Sequence, residues 1–243
     1  MTFRDSRTLR RSRTLYRAFR TEQSDPDGFY TVLAEDSAAQ LAGYCDLDGA
    51  RLLDVGGGPG YFADAFRRRG AGYAALDADA GELSARGAPG PGTVLGSGTA
   101  LPFADASLDV TYSSNVAEHV ADPWALGDEM VRVTRPGGTV FLSYTVWLGP
   151  HGGHETSPWH YLGGHRARRR YQRRTGRPPK NVYGQSLFAV SAGAGLRWAR
   201  RQPDSDLVAA FPRYLPGWAD PVLALPGIRE VLTWNLALVL RRR

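Results

Sequence analysis

At 243 residues, with 42% hydrophobic and 22% charged side chains, the chain matches an ordinary globular protein that buries one large core. No stretch reaches the roughly 20 apolar residues of a spanning helix, no apolar run follows the N-terminal arginines as a secretory signal requires, and the single cysteine, Cys45, excludes an internal disulfide and fits a reducing, cytoplasmic setting. The net charge of +6 is uneven: residues 1–20 hold seven arginines against Asp5, residues 166–180 hold seven arginines and Lys180 with no acid, and the remaining body is acidic.

In chain order, residues 7–21 read as an amphipathic helix with Leu9, Leu15, Tyr16 and Phe19 on its apolar side. A turn at Ser24–Gly28 leads to a second helix from Tyr30 to Leu41, so residues 1–45 form an N-terminal helical unit. Strands are then expected at Arg51–Val55, Tyr73–Asp77, Thr93–Leu95, Leu108–Ser113 and Thr139–Thr145. Helices alternate with them at Pro59–Arg69, Asp79–Arg86 and Pro123–Thr134. Such alternation predicts an α/β fold, a parallel sheet with helices on both faces. From Leu148 to Tyr183 the period is lost among Gly, His, Arg, Trp and Pro, so 148–183 reads as an insertion, a lid over a single domain spanning 1–243. Helical signals return at Gln185–Ala192, a strand is expected near Leu196–Arg201, four prolines break Phe211–Pro226, and Glu230–Leu240 closes the chain as a strand.

The segment Leu52-Leu53-Asp54-Val55-Gly56-Gly57-Gly58-Pro59-Gly60 carries the strongest chemical signal. A buried strand ends in an acid, enters a glycine-rich turn and opens a helix. Glycine permits close backbone approach to a ligand and φ > 0, and the helix start offers free N–H groups at the positive dipole end. The G-x-G-x-x-G/A dinucleotide pattern fails from Gly56, because Tyr61 stands sixth, and fits from Gly58 only in its alanine variant through Gly60 and Ala63. An acid directly before the glycines suits an amine-bearing ligand better than a pyrophosphate. At the end of the second strand Asp77 is placed to accept hydrogen bonds from ribose hydroxyls, whereas Asp79 stands at a helix start and reads as a cap.

The block Asp54–Gly60 resembles motif I of the class I S-adenosylmethionine-dependent methyltransferases. Three further blocks resemble the same family in order and spacing: Ala100–Val110 before and into strand four, Ser114–Val120 after it, and Arg132-Val133-Thr134-Arg135-Pro136-Gly137-Gly138-Thr139 before strand five. The likeness covers residues 50–145 and is nearest the small-molecule branch that includes ubiquinone and menaquinone methyltransferases. It implies a Rossmann-like, doubly wound, seven-stranded sheet, mostly parallel with an antiparallel last strand, and S-adenosylmethionine as cofactor with S-adenosylhomocysteine as product. It also implies that Gly56, Gly58 and Gly60 line the methionine and ribose parts, that Asp54 orients the amino group, that Asp77 holds the ribose, that Ser97, Gly98 and Thr99 lie beside adenine, and that Asn115 lies near the methionine moiety. Where many relatives carry an acid before the Leu-Pro-Phe block, this chain has Ser97.

An oxygen acceptor also needs a base. His151, His154, His160 and His165 crowd the insertion after strand five, where an α/β sheet presents its ligands. His154 with Glu155 is the leading catalytic pair, against the blander reading of a lid with hydrogen-bonded histidines; His119 reads as packing near the cofactor. No metal site is expected, because dense tetrahedral ligand spacing is lacking. The predicted activity is methyl transfer to a small-molecule acceptor, anionic or membrane-associated if the basic arms take part. An RNA methyltransferase using those arms is the alternative, disfavoured for base-amino targets because Asn115-Val116-Ala117-Glu118 replaces an Asn/Asp-Pro-Pro-aromatic motif; a non-catalytic cofactor-binding module is the third reading. Arginine usage with a single lysine fits a GC-rich bacterium.

Overall fold

The computed structural model describes residues 7–22 and 24–243; the first residues of the basic N-terminal arm, Arg4 and Asp5 among them, lie outside the described residues. The strands β1 (Arg51–Val55), β2 (Gly72–Asp77), β3 (Thr93–Leu95), β4 (Leu108–Ser114), β5 (Thr134–Thr145), β6 (Ser205–Pro212) and β7 (Asn235–Arg242) form one sheet in the order 3-2-1-4-5-7-6. Pairings from β3 through β5 are parallel, and β7 runs antiparallel to both β5 and β6. This is a doubly wound, Rossmann-like sheet, mostly parallel with an antiparallel last strand. The order reverses at β1, and the carboxyl ends of β1 and β4 diverge there to leave a crevice for a ligand.

Alternation along the strands builds two cores. Leu52, Val110 and Phe141 point to one face, where they pack with Leu33, Leu41 and Phe66. Leu53, Val140 and Leu142 point to the other and meet Leu126, Met130 and Leu196. The first face is covered by α2 (Pro26–Leu41) and α3 (Ala63–Arg67), the second by α5 (Pro123–Val133) and α7 (Ala192–Arg201). Helix α1 (Leu9–Phe19) buries Leu15 and is held by charge: Arg11 makes a bidentate pair with Asp36 at 2.5 and 2.7 Å, and Arg7 one with Asp220 at 2.7 and 2.6 Å. Part of the N-terminal basic arm therefore serves to dock α1 on the body.

Several elements depart from expectation. The stretch expected as a strand near Leu196–Arg201 is the body of α7, and β6 follows it. Ala192, Leu196 and Ala199 are buried at helical spacing, and Ser191 caps the helix by accepting from the Ala194 N–H at 3.1 Å. Gln185–Ser191 is irregular. Glu230 belongs to the short α8 (Ile228–Leu232), so the closing strand starts only at Asn235. The glycine turn delays α3, which begins at Ala63 instead of Pro59. Residues 148–183 are more regular than their composition suggests: tight 3-10 turns at His154–Thr156 and Trp159–Leu162 precede α6 (Gly164–Thr175), which buries only Gly164 and Ala167. A helix surrounded by arginine on nearly every side shows no apolar stripe to read.

Candidate active site

At the end of β1 the chain folds into a tight elbow. The Gly56 and Gly57 N–H groups both donate to the Leu76 carbonyl, at 2.7 and 3.2 Å, which ties the turn to β2. Gly56 has φ +80°, and a Cβ there would lie 2.2 Å from Val116 Cγ2, so close contact with the segment after β4 excludes any side chain. Gly58 and Gly60 also have positive φ, yet a Cβ on either would meet nothing within 4 Å. Among the described residues, nothing fills the space beside Gly58 and Gly60, as a cradle for an adenosyl amino acid requires.

Two carboxylates flank this cradle in different states. Asp77, half-buried at the end of β2, accepts from the Gly58 N–H at 3.1 Å through Oδ2 and from the Asp79 N–H at 3.0 Å through Oδ1, with lone pairs to spare. Asp79 caps α4 (Ala80–Leu83), accepting from the Gly81 N–H at 2.7 Å. Asp54 is 2% exposed beneath the turn and accepts from the Tyr73 hydroxyl at 2.8 Å. Burial pushes its carboxyl up to about 7, against the stabilising hydrogen bond from Tyr73.

On the β3 side, Ser97, Gly98 and Thr99 form a small self-bonded turn. The two hydroxyls lie 2.9 Å apart, the Thr99 N–H donates to Ser97 Oγ at 3.2 Å, and Gly98 packs against Val55 and Leu126. The loop that follows is fastened by one guanidinium: Arg132 donates to the Leu101 and Phe103 carbonyls at 3.0 Å each and pairs with Glu129 and Asp105, while Glu129 accepts from the Leu101 N–H at 2.7 Å. Two of the blocks carrying the family resemblance are thus tied together physically.

After β4 the site turns polar. Asn115 sits at φ +58°; its Oδ1 accepts from Asn235 Nδ2 at 2.7 Å and its Nδ2 donates to the Tyr214 hydroxyl at 3.2 Å. Next to it, Arg213 is fully buried and donates to hydroxyls of Ser37, Tyr112, Ser114 and Ser143 at 2.6–2.8 Å. Glu118, 1% exposed, accepts from the Thr145 N–H at 3.0 Å through Oε1. His119 donates from Nδ1 to the Ser186 carbonyl at 2.6 Å, and its ring meets that of His154 edge-on at 5.0 Å. Burial lowers the His154 pKa, opposed by the Glu118 carboxylate.

His154 thus lies in the site with Glu118 and His119. Glu155, its expected partner, is exposed and accepts from Asn181 Nδ2 at 2.9 Å. His151 packs between Phe19 and Trp234, His160 is buried against Trp147, and His165 is exposed. Sequence reasoning passed over Glu118, although it lies in a quoted block, and also Tyr214 and Arg213, which the fold brings in from beyond β6 with no local signature.

A family model described as a methyltransferase domain matches residues 53–142. A relative from Mycolicibacterium vanbaalenii, named an uncharacterized methyltransferase, is 57% identical over 249 residues, covering 98% of this chain and 97% of the relative. Another of the same name from Mycobacteroides abscessus is 54% identical over 254 residues, covering 99% and 97%. Among solved structures, an S-adenosylmethionine-dependent methyltransferase from Mesorhizobium loti superposes with a TM-score of 0.59 at 21% identity, covering 86% of this chain and 98% of that one. With S-adenosylmethionine as its cofactor, the chain belongs to the class I S-adenosylmethionine-dependent methyltransferase family.

Proposed function

We propose that the protein methylates an oxygen nucleophile on a small, anionic acceptor in the cytoplasm of a bacterium. The observation that carries this reading is that Gly56 of the glycine elbow abuts Val116, two residues before the Glu118–His119 pair that the fold brings together with His154. When bound, S-adenosylmethionine supplies a methyl group already made electrophilic by its sulfonium. In this reading Gly56, Gly58 and Gly60 line the donor's methionine and ribose parts, and Asp77 holds the ribose hydroxyls. Asp54 orients the amino group from beneath the turn, Asn115 lies along the methionine part, and Ser97, Gly98 and Thr99 border adenine.

The chain's own task is then to align the acceptor and exclude water, a contribution of about 7–11 kcal/mol where alignment is good. Phe19 of α1, His151 and Trp234 pack together, with ring centroids 4.5–4.8 Å apart, and in this reading would shield the acceptor from water. Burial favours the uncharged form of His154, whose lone pair would serve the acceptor's proton or a cation that acidifies it, and Glu155, next in the chain, is exposed. Further along the same segment a groove of about 610 Å³ is lined by Trp159, Leu162, Arg166, Arg170, Arg173 and Arg174, which suits an anionic group. Among the described residues no helix is long and apolar enough to cross a membrane.

The test is to supply methyl-labelled S-adenosylmethionine with a bacterial small-molecule extract in one reaction and total RNA in another. Label is expected in the small-molecule fraction as an O-methyl group. Label in RNA alone would overturn the acceptor class while leaving the methyltransferase assignment intact.

A further inference from the structure

Glu118, His119 and His154 each offer one ligand atom, and these atoms all lie within 4.8 Å of one another. We propose that the three form a binding site for a divalent transition-metal ion, zinc foremost, with an open coordination position toward the acceptor pocket. That the ion binds here is independent of the acceptor reading; only the use of the open position rests on it.

The groups are prepared as ligands. Glu118 spends Oε1 on the Thr145 N–H, which fixes the carboxylate, while Oε2 is buried with no hydrogen-bond partner. A carboxylate oxygen 1% exposed and unsatisfied is costly unless a cation or donor meets it. Among the described residues no Arg or Lys pairs with it; its neighbours are the two imidazoles. His119 gives its Nδ1 proton to the Ser186 carbonyl, and since a carbonyl can only accept, Nε2 is left with its lone pair. A ring held from behind in this way is the usual outer support of a metal-ligating histidine. His154 completes the set from another element: it holds φ +48°, uncommon for a residue with a side chain, its ring faces His119, and its buried Nδ1 has no hydrogen bond of good geometry.

The donor set selects the metal. Two imidazoles and one carboxylate, with no thiolate, suit zinc or a neighbouring first-row ion and discriminate against magnesium and calcium. Three protein ligands from a His2Glu set leave a position open, as in catalytic rather than structural zinc sites. Zinc at about 2.0–2.1 Å from each donor needs donors about 3.3 Å apart, so small side-chain rotations complete the shell. An acceptor hydroxyl at the open position would lose its proton to solvent more readily.

The test uses the full chain, stripped with a chelator and titrated calorimetrically with zinc chloride alone. One zinc per chain is expected, with affinity falling at least about 100-fold in His119→Ala and in Glu118→Gln, since even outer-support losses reach that size. His165→Ala, outside the cluster, is expected to bind as the parent does. Cobalt(II) in place of zinc should give visible absorption that disappears in His119→Ala, a half-exposed turn position whose loss leaves the core intact. Absence of stoichiometric uptake by the parent, or undiminished uptake by His119→Ala, overturns the site. Because no adenosyl ligand is present, neither result bears on the methyltransferase assignment.

Discussion

The proposed cofactor half of the site, at the glycine elbow, and the proposed acceptor half, around Glu118 and His154, meet at Val116 but are constructed on different principles. In the proposed reading, the ligand-facing parts from β1 to β4 are the backbone of the glycine turn and the strand-end carboxylate of Asp77, while the Gly56, Gly57, Gly58 and Gly60 N–H groups are spent on Leu76, Asp77 and Gly57 and hold the turn in shape. On the acceptor side, Glu118 comes from the turn after β4, His154 from the turn after β5, and Tyr214 from beyond β6. A cradle for a common cofactor is a property of one supersecondary unit. A pocket for a particular acceptor is a property of the tertiary fold, assembled from turns that are distant in sequence.

That contrast can be tested by separating its halves. The largest effect is expected from His154→Ala, with turnover reduced 10²- to 10⁴-fold, the typical contribution of proton management, and S-adenosylhomocysteine affinity near normal. Steady-state kinetics with calorimetry decides this, and normal turnover would remove His154 from the chemistry. Asp77→Ala should act in the opposite sense, weakening S-adenosylhomocysteine about 100-fold through loss of charge-assisted hydrogen bonds worth about 1.5–3 kcal/mol each; undiminished affinity would mean the ribose is held elsewhere. Gly56→Ala puts a methyl onto Val116 and a side chain at φ +80°, and about 1–3 kcal/mol of stability should be lost. Val116→Ala in the same chain should recover part of that loss in a double-mutant melt. Strict additivity would deny that the two halves touch there.

The smallest effect concerns Asp54. Its folded carboxyl, raised to about 7, binds its proton more tightly than the unfolded chain does near 3.9. The stability it contributes is therefore complete below about pH 4 and is lost as pH rises through 7. Asp54→Asn, which can still accept from the Tyr73 hydroxyl, should gain melting temperature relative to the parent as pH goes from 5 to 8. A constant difference across that range would show that the carboxyl is not shifted.

The same division governs what could be read in advance. β1 and β3 were legible to the residue, because each is a short run with an apolar centre stopped by glycine, Gly56 after β1 and Gly92 and Gly96 on either side of β3. The methyltransferase fold and the cofactor were legible because the residues of motif I are contiguous. The α7 stretch was not, because Leu196-Arg197-Trp198-Ala199-Arg200 mimics strand alternation while its burial follows Ala192, Leu196 and Ala199. In the 148–183 segment the histidines were visible but their partners were not: Glu118 and His154 are separated in sequence by all of α5 and β5. Arg213, buried among hydroxyls without a direct carboxylate, carries no local mark at all.

The most direct measurement is a calorimetric titration of the parent protein with S-adenosylhomocysteine, paired with NADH in the same buffer. Saturable binding of the adenosyl ligand at one site per chain, with no heat from the dinucleotide, is the expected result. Dinucleotide binding without adenosyl binding would contradict the assignment of the open elbow at Gly58 and Gly60.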